Sequence, residues 1–223
     1  MTKKAFIFDL DGVIVDTAKY HFHAWKKLAN SIGVDFTEEE NEQLKGVSRV
    51  KSLEKILLWG NKSISEEEFT ELMTLKNDDY LSYVNKMDES DVLPGVKEVL
   101  DQLTALNIPI ALGSASKNAP TILKKVKLDK VFKSVVDGNS VKKAKPNPEV
   151  FLKAAEQLGV SPKDCIVFED SQAGVKAANI ASMVSVGIGD KNILHEANYV
   201  FEDFTKISSN FINELLKKWT KII

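Results

Sequence analysis

The chain has 223 residues, 30 Lys and Arg against 32 Asp and Glu, and a formal net charge of −2 at pH 7. At roughly 150 residues per domain this length predicts one large domain, or a medium one with a small companion, and the near-balanced charge argues against a dedicated nucleic-acid binder. The lone cysteine, Cys165, excludes an intramolecular disulfide and a cysteine-based zinc site.

No apolar run approaches the roughly 20 residues of a membrane span. Asp9 and Asp11 end the N-terminal apolar run too early for a signal core. No segment reads as a hydrophobic interface. The expectation is a soluble, cytoplasmic monomer.

Ala5 to Phe8 is a short apolar run that reads as a buried strand, closed by Asp9-Leu10-Asp11-Gly12. From Thr17 to Ser90 the pattern is helical, without good strands. Ala24, Leu28 and Ile32 share one helical face, and Gly33 follows as a stop signal. Thr37-Glu38-Glu39-Glu40 and Ser65-Glu66-Glu67-Glu68 have the capping-box form. The second opens a long helix running towards Asn85.

After Pro94-Gly95, the residues Val96, Val99, Leu100, Leu103 and Leu106 line one face of a helix. Strands then read at Ile108 to Leu112, Val135-Val136, Cys165 to Phe168, Val184 to Gly187 and Tyr199 to Phe201. Helices read at Pro120 to Val126, at Pro148 to Leu158, from Ala173, and at Ser208 to Ile222, where Phe211, Leu215, Leu216 and Trp219 sit. This alternation predicts βαβ units. The fold expected is α/β: a doubly wound, Rossmann-like parallel-sheet core of residues 1–16 plus 91–223, with a helical cap of residues 17–90 inserted.

Four polar elements follow predicted strands or sit in connecting loops: Asp9 with Asp11, Ser114, Lys145, and Glu169 with Asp170. In an open α/β sheet, ligands bind at the carboxyl ends of the strands, so these elements are expected in one crevice. Four acids beside one lysine need a counter-charge, and a hard divalent cation such as Mg²⁺ supplies it. Ser114 offers a hydroxyl ahead of a helix whose N–H groups can bind an anion. Lys145 offers a compact charge for a phosphoryl oxygen. The set suggests phosphoryl transfer with a carboxylate nucleophile. Each element alone is an ordinary turn, cap or surface charge; the ordered set is what carries the reading.

Asp9-Leu10-Asp11-Gly12-Val13, with Ser114, Lys145-Pro146 and Glu169-Asp170, resembles the haloacid dehalogenase superfamily over essentially the whole chain. Within it the sequence is similar to the sugar phosphomutases that interconvert β-D-glucose 1-phosphate and glucose 6-phosphate through a hexose bisphosphate. The stretches carrying this are Tyr20-His21-Phe22, Leu44 to Arg49, Lys76-Asn77-Asp78 and Ser114 to Asn118.

The resemblance implies that Asp9 becomes an aspartyl phosphate and that Asp11 is the general acid and base. It implies Mg²⁺ held by Asp9, Asp170, the Asp11 carbonyl and Glu169. Ser114, Ala115 and Lys145 would hold the phosphoryl group in transfer. Arg49, with Ser116, Lys117 and Asn118, would hold the distal phosphate. Thr17, His21, Lys45, Gly46, Val47 and Lys76 would be cap-side substrate positions. Taken alone, His21 reads as packed in a helix interface, and Lys45 and Lys76 as solvated helix lysines.

The same core also suits an Mg²⁺-dependent sugar-phosphate phosphatase, and Arg49 is the discriminating feature. One departure is visible: many relatives have glycine where Ser182 stands. Cys165, Trp25, Trp59, Trp219 and Phe22 read as packing residues.

Overall fold

A computed structural model describes residues 3–218. Six strands form one parallel sheet: β1 (Ala5–Phe8), β2 (Ile110–Gly113), β3 (Ser134–Val136), β4 (Cys165–Glu169), β5 (Val184–Ile188) and β6 (Tyr199–Phe201). Their order is β3-β2-β1-β4-β5-β6, so β1 is central. The helices are α1 (Ala18–Ser31), α2 (Glu38–Glu42), α3 (Arg49–Trp59), α4 (Glu66–Val84), α5 (Val96–Ala105), α6 (Ala119–Lys125), α7 (Glu149–Leu158), α8 (Gln172–Ile180) and α9 (Ser209–Lys218).

Alternation of side chains along β1 explains why the sheet is covered on both faces. Phe6 and Phe8 point to one side and join Phe168, Phe204, α5 and α6 in one apolar cluster. The Phe8 and Phe168 rings stack there, 4.9 Å apart. Ala5 and Ile7 point to the other side and join Phe151 of α7 and Ala177 and Ala178 of α8.

The apolar runs become strands with small shifts. The strand expected from Ile108 begins at Ile110; Pro109 has no N–H to give a ladder, though its carbonyl accepts from Phe6 N at 3.1 Å. The Thr37 capping box is complete with Glu40. At Ser65 only the hydroxyl bond from Glu68 N forms, at 3.1 Å. Leu106, expected on the buried face of α5, is 46% exposed because the helix ends at Ala105. Sequence reading named no helix at α3, which Ser48 caps through Lys51 N. Trp219 and the rest of the expected C-terminal helix beyond Lys218 lie outside the described residues.

Helices α1 to α4 fall between β1 and β2 in the chain and gather Trp25, Leu28, Phe36, Leu53, Ile56 and Leu72 in a cluster of their own. Ala24, Tyr80, Val84 and Met87 join the main core instead. The chain leaves and returns through a paired ribbon. Val15 bridges Val92 antiparallel, Asp16 N donates to Asp91 O at 3.1 Å, and Leu93 N donates to Ile14 O at 3.0 Å. No helix among the described residues is long and apolar enough to cross a membrane. Past α8 the chain turns through Ser182, an exposed residue at φ +58°.

Candidate active site

The expected crevice exists. Because β1 lies between β2 and β4, their carboxyl ends bring Asp9, Ser114, Glu169 and Asp170 to one place. Asp9 is buried at the end of β1, its N–H donating to Phe168 O at 3.0 Å. The Lys145 ammonium, 1% exposed, lies between the Asp9 and Glu169 carboxylates and donates to both.

Burial lifts Asp9 to about 7 against the pull of Lys145, with Glu169 and Asp11 adding to the rise. Burial opposes the charge on Lys145, but the two carboxylates outweigh it and raise its pKa. Asp170 is pushed well above the usual carboxylate range by burial and by Glu169.

Glu169 is committed on both oxygens. Oε1 takes Lys145, while Oε2 accepts from Ser171 N at 2.9 Å and Ser171 Oγ at 2.8 Å. Ser171 also caps α8, accepting from Gly174 N at 3.0 Å. Glu169 is fully buried and forms no part of the cavity wall, so its place is behind Lys145.

Asp11 sits in a different environment. Thr17 Oγ1 donates to its Oδ1, Tyr80 OH donates at 3.4 Å, and His21 Nε2 lies 3.6 Å away. Burial would raise Asp11, but His21, Thr17 and Lys76 together hold it below its ordinary value. Lys76 Nζ is 2.9 Å from His21 Nδ1 and lies 4.7 Å above both the Trp25 and the Tyr80 rings. Burial and the nearby Arg49 charge bring Lys76 down to about 7. Burial and Lys76 also lower His21. His21 therefore both packs, stacked on Tyr80 at 4.2 Å, and faces Asp11.

Asp9, Asp11, His21, Trp25, Tyr80 and Asp170 line a cavity of about 650 Å³ that extends under α3 and the α2–α3 loop. Its wall includes Lys45, Gly46, Val47, Arg49, Lys76, Ser114, Ala115, Ser116, Lys117, Asn118 and Lys145, as expected, with Asp9, Asp11 and Asp170. Ser114 Oγ accepts from Ser116 N at 3.0 Å, and Ser116 Oγ from Asn118 N at 3.3 Å. Asn118 Nδ2 reaches across to Asn77 Oδ1 of α4 at 3.2 Å. Lys45 Nζ lies 3.8 Å from Asp170 and 2.8 Å from Glu42.

Two expectations change. Thr17 does not line the cavity; it is fully buried and its hydroxyl is committed to Asp11. Glu169, expected among the metal ligands, is bound to Lys145 and Ser171 and does not line the cavity. The 114–118 loop leads into α6, whose cap residue Asn118 lines the cavity. Three residues were missed. Tyr80 lies one turn beyond Lys76 on α4, the only sequence signal for it. Ser171, just ahead of α8, was readable as a cap but not as the holder of Glu169. Trp25 is buried packing, as read, yet it also walls the cavity.

Among the described residues no three His, Cys, Asp or Glu side chains form a ready-made metal cage. The donors do fit a hard cation: Asp9 and Asp170 are buried and offer oxygen only, and among the described residues Asp170 has only the distant Lys45 ammonium, at 3.8 Å, as a partner. Mg²⁺ is commonly held by one or two carboxylates, with waters and a substrate phosphate completing its shell.

The family model of haloacid dehalogenase-like hydrolases matches residues 3–181. The chain belongs to this family. Its six-stranded parallel sheet, with Asp9, Glu169 and Asp170 at strand ends, is the haloacid dehalogenase-like fold. A β-phosphoglucomutase of Bacillus subtilis is 43% identical over 95% of this chain and 94% of its own length. A phosphorylated carbohydrates phosphatase of Thermotoga maritima is 31% identical over 88% of this chain and 92% of its own. The crystal structure of a Clostridium difficile β-phosphoglucomutase superposes with a TM-score of 0.93 at 42% identity, covering 98% of this chain and 99% of that one.

Proposed function

We propose that this chain is a phosphotransferase-type isomerase that interconverts β-D-glucose 1-phosphate and glucose 6-phosphate through an aspartyl phosphate on Asp9 and a β-glucose 1,6-bisphosphate. The observation that carries the reading is the lining of the single cavity that Asp9 and Arg49 share. Eight lysine and arginine side chains, Lys45, Arg49, Lys51, Lys76, Lys117, Lys142, Lys143 and Lys145, line it with three acids. That excess suits a ligand with a phosphate at each end, which a single-phosphate hydrolase does not need. The near full-length similarity to two β-phosphoglucomutases supports the same choice.

The chemistry follows from the residues. Phosphorylated Asp9 is attacked by the sugar 6-hydroxyl, whose proton Asp11 takes as the new P–O bond forms and the Asp9–phosphorus bond breaks. The bisphosphate turns round. Free Asp9 then attacks the 1-phosphate, and Asp11 returns its proton to the departing sugar oxygen. The hydrogen bond from Thr17 and the His21 contact set the Asp11 carboxylate in place. With a Lys76 N–H donating to His21 Nδ1, the ring proton sits on Nε2, towards Asp11.

Lys145 and Ser114 steady the phosphoryl oxygens, and Arg49 clamps the distal phosphate through its planar fork. Asp9, Asp170 and the Asp11 carbonyl would hold Mg²⁺, which when bound neutralises charge on the phosphoryl group. Glu169 holds Lys145 from behind. Residues 17–90 act as a cap that keeps water from the aspartyl phosphate, and residues 1–16 with 91–223 as the catalytic core. The support for that division is the separate apolar cluster of α1 to α4.

The test is one tube containing protein, Mg²⁺, β-glucose 1-phosphate and a trace of the bisphosphate. Glucose 6-phosphate with little free phosphate is expected, and Asp9→Asn should abolish both turnover and phosphoenzyme. Free phosphate without glucose 6-phosphate overturns the mutase in favour of a phosphatase.

A further inference from the structure

Lys142 and Lys143 have no part in the chemistry above, yet both line the cavity. They also bound a shallow outer groove with Asn147, Glu149, Leu152, Lys153 and Glu156. They are therefore the two residues common to the reaction chamber and the outside surface beside it. Both side chains are exposed.

Their backbone is held firmly. The Glu149 carboxylate, in the first turn of α7, accepts from Lys142 N at 3.1 Å and from Lys143 N at 2.8 Å. Their ammonium groups pair with no carboxylate among the described residues. Lys153 in the same groove is different: it is tied to Ser140 O at 2.7 Å and to Glu149 at 3.3 Å. Lys117, on the facing loop, is exposed and without an acid partner as well. Asn139 Nδ2 donates to Lys117 O at 3.1 Å and joins the two loops. Three uncompensated lysines thus stand together at the cavity mouth of a chain whose net charge is −2.

We propose that Lys142 and Lys143 form a recruiting rim for the sugar bisphosphate, outside the groups that hold it during chemistry and beside Lys117, which passes it on to the distal-phosphate site. This rests on the reading of the chain as a mutase. A bisphosphate carries about twice the charge of a hexose monophosphate, so a long-range cationic rim favours it most. The intermediate must also present its two ends in turn. A rim at the mouth keeps it near when it leaves the chamber to turn.

The test measures binding without turnover. Asp9→Asn protein with Mg²⁺ is mixed with β-glucose 1,6-bisphosphate in a stopped-flow instrument, and tryptophan fluorescence is followed, since Trp25 lines the cavity. Adding Lys142→Gln and Lys143→Gln should lower the association rate constant about three- to tenfold at about 20 mM salt. The gap should close at about 500 mM salt, where screening reaches only a few ångströms. The dissociation rate should change less than about twofold. Lys130→Gln with Lys163→Gln, which removes the same charge from exposed sites outside the cavity wall, should do nothing.

An unchanged association rate, an equal loss at both salts, or a parent that binds no bisphosphate overturns the rim. Failure of the wild-type protein to make glucose 6-phosphate would instead overturn the mutase reading. The binding comparison still decides the rim in that case.

Discussion

Gly46 is where the α2–α3 loop touches the core, and replacing it with alanine tests whether that contact seals the chamber. Gly46 has φ +70°, and an added Cβ would lie 2.4 Å from Ser171 Oγ and 3.2 Å from Ser171 Cβ. Alanine in this left-handed region costs about 1–2 kcal/mol. The clash adds to that. Ser171 cannot turn aside cheaply, because its hydroxyl caps α8 and binds Glu169. Losing the cap costs about 1 kcal/mol and losing the bond to a carboxylate about 1.5–3 kcal/mol. Among the ion pairs and hydrogen bonds of the described residues, lifting the loop instead breaks the partly exposed Lys45 contact to Asp170, at 3.8 Å, worth under about 1 kcal/mol. The loop should therefore lift.

If about 1–2 kcal/mol is moved against the seated loop, its population falls about five- to thirtyfold relative to the lifted one. Water then competes for the aspartyl phosphate. The assay is the ratio of free phosphate to glucose 6-phosphate, which should rise by about that factor. Gly159→Ala is the control: it has φ +65° with nothing within 4 Å of an added Cβ. It should lose similar folding stability and leave the product ratio alone. An unchanged ratio in Gly46→Ala, or an equal rise in Gly159→Ala, would refute the reasoning.

Other outcomes follow from single residues. Lys76, lowered to about 7 by burial, is neutral when folded and charged when unfolded between about pH 7 and 10.5. The unfolded state binds the extra proton there, so wild-type stability should gain on Lys76→Met by up to about 1.4 kcal/mol per pH unit across that window. Denaturation of both proteins at pH 7 and 9.5 checks this; a constant gap contradicts it. Ser182→Gly should raise stability by about 1 kcal/mol, since the exposed serine sits at φ +58°; an unchanged or lower melting temperature would count against it. Cys165 is fully buried and burial raises its thiol to about 12, so thiol reagents should label it only as the chain unfolds. Labelling at full rate in native buffer would contradict that.

The sheet was legible because its strands are short apolar runs with sharp polar ends: Ala5 to Phe8 stops at Asp9, and Cys165 to Phe168 runs only one residue further, into Glu169. The convergence of Asp9, Ser114, Lys145 and Asp170 was legible for the same reason, since parallel strands share a carboxyl edge. What local pattern could not give was the use of each hydroxyl and carboxylate. Thr17 looked like a substrate contact, but only the fold shows its hydroxyl facing Asp11. Glu169 looked like a metal ligand, but Lys145 comes from a loop 24 positions earlier in the chain and takes one of its oxygens. Tyr80 was invisible because its partners His21 and Asp11 lie on other elements. The end of α5 at Ala105, which exposes Leu106, is a boundary that apolar spacing alone does not mark.

The paired ribbon at Val15 and Val92 has a mechanical consequence. Two crossings tied side by side by Asp16 N to Asp91 O and Leu93 N to Ile14 O cannot twist independently, as two loose tethers would. They bend together, about one axis. Any displacement of α1 to α4 against the sheet is then a door-like swing with few degrees of freedom. Thr17, bonded to Asp11, follows the outgoing crossing directly, so the same swing pulls on the Asp11 carboxylate.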